Sequence, residues 1–349
     1  MGEKMKVAVM RGIGKIAIEE RPIPVPREEE VLIRIKSVGV CGSDVHYFVE
    51  GRIGDYVVKP PFVLGHECSG EVVEVGKRVK HLRPGDRVTM EPGIPCGKCE
   101  FCRSGRYNLC PEVVFWATPP IDGTFGEYVT HPANFTYPIA SSVSFEEAAL
   151  VEPLSVGFYA ARRAQVEPGQ VALILGSGPI GLVTLEVLLA RGVTEVIAVD
   201  VVPLRLEKAA ELGARYVVNA KDQDVREKVM EITGGRGVDV VFETAGSVVT
   251  TQMTVEMVRK GGKVVLIGLP SVPRVDFDVI KVIDKELDVL GIFRYANTYK
   301  GCVDLLNAGK VDLATLITHR FPLEKTQEAL QFAHEHKMEA IKVVVNVGV

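Results

Sequence analysis

Val171-Ala172-Leu173-Ile174-Leu175-Gly176-Ser177-Gly178-Pro179-Ile180-Gly181 is an apolar run that breaks into a glycine-rich turn. The run has the continuous apolarity of a strand buried on both faces. Gly176, Gly178 and Gly181 permit a tight turn, close approach of backbone to a pyrophosphate and close packing of helix on strand, and the helix that follows offers free N–H groups to phosphates. Pro179 suits the first helical turn, where a missing N–H costs nothing, and the helix is predicted to run to about Arg191. A Gly-x-Gly-x-x-Gly string alone is a weak signal. The strand before it, the helix after it and Asp200 closing the next strand, about 20 residues on, make it a dinucleotide site. Asp200 would accept hydrogen bonds from a ribose hydroxyl and repel a 2'-phosphate, which favours NAD over NADP. Arg205 keeps NADP open, its plainer reading being a solvated helix residue.

Outward from this turn, buried-strand runs alternate with amphipathic helices, the pattern of a parallel sheet covered on both faces. Six strands are predicted, at Val171 to Leu175, Glu195 to Val199, Arg215 to Val218, Val238 to Phe242, Lys263 to Ile267 and Leu287 to Leu290. Six strands in two halves form the doubly wound dinucleotide sheet of an α/β fold. Between Met5 and about Val151 the texture differs: short apolar runs at Val31 to Ile35, Glu71 to Val75 and Arg87 to Met90, cut by Gly and Pro, read as a β-rich, loop-rich lobe. Beyond Gly291 come a helix near Thr298 to Ala308, another near Leu323 to His334 and a strand at Ile341 to Val347. A finished six-strand sheet has no place for this tail, so it is expected to rejoin the first lobe. The expected division is 1–154 with 293–349, and 155–292.

The 349 residues suit two cores rather than one. A composition 47% apolar and 25% charged is that of a globular protein. A formal charge of −4 speaks against nucleic acid or an anionic membrane surface, which need clustered Lys and Arg. No apolar run approaches the roughly 20 residues of a membrane span, and residues 1–11 lack the apolar block of a signal peptide. Gly2 is placed for myristoylation, but Lys6 stands where that motif wants Ser or Thr. A reducing cytoplasm is therefore expected, in which the seven cysteines are thiols or metal ligands.

Cys96, Cys99, Cys102 and Cys110 form Cys-x2-Cys-x2-Cys-x7-Cys, a spacing with which one loop can wrap four thiolates around a tetrahedral zinc. With no open position such a site is structural. The competitor is an iron–sulfur cluster, since Pro111 follows Cys110, but the wide last gap favours zinc. A second set is dispersed: Cys41, then His66-Glu67, then Glu152. Singly, each has a bland reading as a small core residue, a satisfied polar group or a surface carboxylate. Together they supply thiolate, imidazole and carboxylate for a zinc with a position left for substrate or water. Cys68 and Cys302 are read as structural or free thiols.

The runs Cys41 to Tyr47, Gly65-His66-Glu67, the four-cysteine segment, Gly176 to Gly181 and Phe293-Arg294-Tyr295-Ala296-Asn297-Thr298 together resemble the sorbitol (polyol) dehydrogenase branch of the zinc-containing medium-chain dehydrogenases. The likeness covers nearly the whole chain. Ala117-Thr118-Pro119-Pro120 and Glu152 to Gly157 are its more diagnostic segments. The resemblance implies a GroES-like catalytic lobe beside a Rossmann sheet. It implies Cys41, His66 and Glu67 about a catalytic zinc, and Glu152, where simple alcohol dehydrogenases have a cysteine, binding that zinc or holding its water. It further implies substrate contacts from Ser43, Tyr47, Phe115, Thr118, Arg294 and Tyr295. Cofactor contacts are implied from Ile180, Asp200, Arg205, Ile267, Leu269 and Phe293, with Arg294 placed for either role.

The activity so implied is oxidation of a secondary hydroxyl of a sorbitol- or xylitol-type polyol to the ketose, with hydride passing to NAD, by a homotetramer. Ser43 would pass the hydroxyl proton, directly or through the cofactor ribose, to His46, whose ordinary pKa near 6.5 suits a relay; the bland reading of His46 is a surface histidine. The alternatives are a related zinc dehydrogenase for threonine or a vicinal diol such as butanediol, and, from another class, a nucleic-acid or partner-binding module marked by the four-cysteine lobe on a retired dehydrogenase fold.

Overall fold

The computed structural model describes residues 3–348; Gly2 lies outside them. Contacts divide the chain into one unit of Met1–Glu152, Tyr299–Gly309 and Leu313–Val349 and another of Pro153–Thr298 with Lys310–Asp312.

In the first unit the strand Glu30–Gly39 is central. Val31, Leu32, Ile33 and Ile35 are buried while Arg34 is exposed, the pattern of a strand covered over most of both faces. It pairs antiparallel with Glu67–Val75 on one edge, which in turn carries Arg87–Met90 and Thr136–Pro138. Along Glu30–Gly39 also run Tyr128–Pro132 and the tail strand Lys342–Asn346, which is followed by Ile317–Pro322. Both tail strands thus lie in the first unit, while residues 293–298 and 310–312 group with the second. Its last helix has a 3-10 entry at Leu323–Lys325 before the α-helix Thr326–Glu335, because the Thr326 hydroxyl caps the Leu323 carbonyl at 2.7 Å. A smaller sheet of Lys15–Pro22, Lys4–Gly12 and Phe62–Val63 closes the core.

The second unit holds six parallel strands. Their spatial order is Tyr216–Asn219, Glu195–Asp200, Val171–Leu175, Val238–Glu243, Val258–Leu266 and Asp288–Gly291. The order reverses between Val171–Leu175 and Val238–Glu243, the switch point at which doubly wound sheets bind ligands beyond the carboxyl ends of their strands. The fifth strand starts at Val258, earlier than the run from Lys263 predicts, because an irregularity lets Val238 pair with Val258 and Val240 with Lys263. Five of these strands share a core that includes Leu173, Leu175, Ile197, Val218, Val241 and Val264, all wholly buried. Each such side chain contributes roughly 1.5–3 kcal/mol through burial. Among the described residues no helix is long and apolar enough to cross a membrane.

Candidate metal centres and dinucleotide site

In the first unit the ligand atoms of Cys41, His66 and Glu67 all lie within 4.8 Å of one another. Two ends of regular structure bring them there. Cys41 caps the helix Gly42–Glu50, where the partial positive charge of a helix start favours an anionic group. His66 and Glu67 open the strand Glu67–Val75, whose first residue pairs with Gly39. Gly39 has to be glycine: a Cβ there would collide with the Glu67 carboxylate.

Two residues that sequence reasoning did not single out hold this arrangement. Asp44, wholly buried, accepts from Cys41 N at 3.1 Å and from Gly65 N at 2.9 Å, so one carboxylate ties the two ligand segments together. Its Oδ1 also lies 3.6 Å from His66 Nδ1, within ion-pair reach, as expected of a carboxylate that orients a ligand imidazole. Lys342 is buried too, and its Nζ donates to Glu67 Oε1 at 2.7 Å and to the Val40 carbonyl at 3.2 Å. A local signal for Asp44 existed, three residues after a helix-capping cysteine. Lys342 gave none, since it precedes a run of valines far along the chain.

Burial by itself would push the His66 imidazole down, yet the charges of Asp44 and Cys41 beside it hold it well above its ordinary value. Burial likewise works against the Lys342 ammonium, and Glu67, Cys41 and Glu152 more than offset it. Both shifts report a buried cluster rich in negative charge. Thiolate, imidazole and carboxylate converging in such a field fit a divalent cation of zinc's preferences. Glu152 is buried in the first turn of the helix Val151–Arg163 but is not one of the mutually close ligand atoms. The Cys68 thiol is pushed up by burial to about 12, so it stays protonated and inert.

Phe115 is buried with its ring centroid 5.8 Å from that of His66. Thr118 is half-buried, its N–H bonded to the Phe115 carbonyl across a turn in which Ala117 is left-handed at φ 53°. Ser43 is half-buried in the first turn of the capped helix. Tyr47 packs in the apolar core, and His46 is exposed, 3.3 Å from Glu50.

The four-cysteine segment also converges. The Sγ atoms of Cys96, Cys99, Cys102 and Cys110 lie within 4.8 Å of one another, with 3.4 Å between Cys99 and Cys102 and 3.9 Å between Cys96 and Cys102. Four thiolates about 2.3 Å from one tetrahedral ion stand about 3.8 Å apart, so the spacing fits a single zinc, whereas a multi-iron cluster would hold them wider. All seven cysteines are free of disulfides.

In the second unit, the glycine turn ends in the helix Pro179–Ala190, with Gly178 as its cap. Gly181 is required there, since a Cβ would strike the Gly176 carbonyl. Asp200 closes its strand with Oδ2 accepting from Ser177 N at 2.7 Å and Oδ1 from Val201 N and Val202 N at 2.7 and 2.9 Å. A carboxylate has about four acceptor sites, so one remains for a ribose hydroxyl. Arg205 Nη1 stands 3.7 Å from the same Oδ2. Ile180 and Ile267 are half-buried, while Leu269 and Phe293 are exposed. Arg294, left-handed at φ 52°, lays its guanidinium over the Phe293 ring at 4.9 Å, and Tyr295 is buried. Arg162 binds the carbonyls of Ala296 and Asn297 and so anchors this loop from below.

The fold and the paired metal and dinucleotide sites define a zinc-binding dehydrogenase, and comparison with known proteins agrees. Residues 27–141 match the alcohol dehydrogenase GroES-like domain, and residues 179–308 match the zinc-binding dehydrogenase family. The chain is 47% identical over 343 residues to a sorbitol dehydrogenase of Bacillus subtilis, covering 98% of this chain and 97% of that one. It is 44% identical to a sorbitol dehydrogenase of Gallus gallus, covering 99% and 96%. Among solved structures it superposes on an Escherichia coli oxidoreductase/dehydrogenase of unknown specificity with a TM-score of 0.95, 40% identity and coverage of 99% and 100%. An alcohol dehydrogenase of Escherichia coli complexed with NADH gives 0.91, 29% identity and coverage of 99% and 100%. A zinc-binding dehydrogenase of Sinorhizobium meliloti bound to NADP gives 0.91, 30% identity and coverage of 99% of both chains. The chain belongs to the sorbitol dehydrogenase branch of the zinc-containing medium-chain dehydrogenases, enzymes that work with zinc and a nicotinamide cofactor.

Proposed function

We propose that this enzyme oxidises a secondary hydroxyl of a sorbitol- or xylitol-type polyol to the ketose and passes the hydride to NAD, working as a cytoplasmic homotetramer. The observation that carries the reading is the convergence of Cys41, His66 and Glu67 within 4.8 Å, with Glu152 buried but outside their mutual reach. Zinc supplies Lewis acidity at such a site, of the kind that brings the pKa of a bound water from 15.7 to about 7.

The chain's own residues do the rest. Cys41, His66 and Glu67 hold the ion, Asp44 fixes the His66 ring and Lys342 fixes the Glu67 carboxylate. Glu152 takes the role of hydrogen-bond acceptor for a water or hydroxyl rather than that of a ligand. Phe115 keeps bulk water from the His66 side. Ser43 accepts the departing hydroxyl proton and hands it to His46, whose exposure suits delivery to solvent. A polyol buries several hydroxyls, and each needs a partner or binding loses about 1 kcal/mol or more; Tyr47, Thr118, Glu152, Arg294 and Tyr295 are the groups assigned to them. Asp200, with one acceptor site left, takes the adenosine ribose, and its charge disfavours a 2'-phosphate. Gly176, Gly178, Ile180 and Gly181 cradle the pyrophosphate, with Arg205, Ile267, Leu269 and Phe293 as further contacts.

The test is an initial-rate screen of sorbitol, xylitol, threonine and butanediol with NAD and with NADP, alongside a metal count. Polyol turnover with NAD and two zincs per subunit are expected. Turnover of threonine alone, or a protein that reduces neither nicotinamide, overturns the reading.

A further inference from the structure

The second unit contains a buried carboxyl that the chemistry above does not use. Glu243 ends the strand Val238–Glu243, every residue of which is buried, and is itself 1% exposed. It pairs with Leu175 on one side and Leu266 on the other. It therefore stands at the carboxyl edge of a strand that bounds the switch point, below the crevice where a dinucleotide lies in this fold.

Three loops meet over it. The chain after Glu243 is laced to the strand before the glycine turn, Thr244 N and Ala245 N both donating to the Leu175 carbonyl at 2.9 and 3.0 Å. The chain after Leu266 is laced to Glu243, whose carbonyl accepts from Ile267 N and Gly268 N at 2.9 and 3.0 Å. The Glu243 side chain then completes the junction. Its Oε1 accepts from Gly246 N at 2.9 Å and from the Thr250 hydroxyl at 2.7 Å, and its Oε2 is sealed without a hydrogen-bond partner. Gly246 and Gly268 touch: a Cβ on Gly268 would overlap Gly246 N and approach Glu243 Oε2 to 2.9 Å. Burial raises the carboxyl's pKa, against the opposing pull of its Thr250 and Gly246 donors. A strand end that served the sheet alone would be met more cheaply by an apolar residue, because a buried carboxyl carries a desolvation cost that its donors only partly offset.

We propose that Glu243 is a positioning residue for the nicotinamide cofactor, locking Gly246 against Gly268 and so setting the height of the 267–269 loop whose Ile267 and Leu269 line the cofactor site. The inference rests on the NAD reading given above. Leucine at this position fills similar space but takes the side-chain acceptor from the half-buried Gly246 N–H and leaves the Thr250 hydroxyl only Ser247, its carbonyl at 3.2 Å, whereas glutamine keeps an acceptor for both.

The experiment is a fluorescence titration of NADH into the zinc-loaded wild type, E243L, E243Q and T250V, with thermal melts and zinc counts beside it. E243L is expected to weaken NADH about tenfold, within what loss of the Gly246 and Thr250 hydrogen bonds can supply. E243Q should stay within about threefold and T250V fall between them, with zinc content and polyol KM unchanged. A purely structural Glu243 would lower the melting temperature of E243L and leave the NADH dissociation constant within about twofold of wild type, which overturns the proposal. Glutamine no better than leucine overturns it too. If E243L does not fold, T250V decides, an unchanged dissociation constant counting against the proposal. Failure of the wild type to bind NADH would strike the cofactor reading itself and is told apart by that control.

Discussion

Lys342 Nζ lies 2.7 Å from Glu67 Oε1 and 2.6 Å from Glu67 Oε2, and both side chains are almost wholly buried. The carboxylate proposed as a metal ligand is therefore shared with an ammonium. Removing one partner of a buried pair costs about 3–5 kcal/mol, because the other charge is stranded. Lys342→Met should lower the stability of the metal-free protein by about that amount. The loss should be smaller when zinc is present, since the ion gives Glu67 another cation. Urea unfolding with and without zinc measures the difference, and an equal loss in both states would contradict it.

Cys102→Ser should remove one metal per subunit and leave the other. Without it the segment has no core of its own: neither its helix Glu100–Arg103 nor Cys96, Cys99 and Cys102 are buried. Trypsin is then expected to cut at Lys98, Arg103 or Arg106, all exposed, at a concentration that spares the zinc-loaded wild type. A variant that keeps its full metal count speaks against a single shared ion.

Asp200→Ala removes the charge that, on the NAD reading, disfavours a 2'-phosphate, and takes away the carboxylate 3.7 Å from Arg205. The ratio of kcat/KM for NAD over NADP should fall at least tenfold, about 1.4 kcal/mol. Some loss of stability will accompany it, because Ser177, Val201 and Val202 lose their acceptor. An unchanged ratio would dissociate Asp200 from cofactor choice.

Glu91 gives a pH signature. It is 1% exposed, burial raises its pKa to about 7, and the hydroxyls of Tyr107 and Tyr137 donate to it at 2.6 and 3.1 Å and pull the other way. Glu152 adds to the rise. His131, bonded to the Glu91 carbonyl, is pushed down by burial to about 3 and stays neutral through the range. Between the unfolded value near 4.3 and about 7 the folded protein binds more protons than the unfolded one, so this group makes stability fall as pH rises and then level off. Glu91→Gln should abolish that component, matching wild type at or below about pH 4 and melting higher near pH 8. Parallel melting curves across the range would refute it.

Much of this molecule was legible in its sequence because the signals were local. The Gly176 to Gly181 turn, the four-cysteine spacing and the valine-rich strands each announce their chemistry within a short window. The return of the tail followed from topology, the Lys342–Asn346 strand having nowhere else to pair. What escaped were partners remote in sequence or masked by composition. Lys342 and Glu67 are 275 residues apart, and a lysine heading a valine strand reads as an edge residue. Glu91 after Met90 reads as a solvated strand end, and only the fold brings Tyr107 and Tyr137 onto it. Glu243 reads in the same way, as the polar stop of an apolar run. The start of the fifth parallel strand at Val258 was hidden by Gly261-Gly262, which reads as a break but here sits in an irregularity within the strand.

The shared carboxylate also fixes an order of events during synthesis. Cys41, His66 and Glu67 leave the ribosome long before residue 342, so any early capture of zinc happens with Glu67 unrestrained and free to swing onto the ion. Only the arrival of the final strand brings the Lys342 ammonium within 2.7 Å of that carboxylate. The nascent polypeptide should thus grip metal differently from the finished enzyme, in which Lys342 holds Glu67.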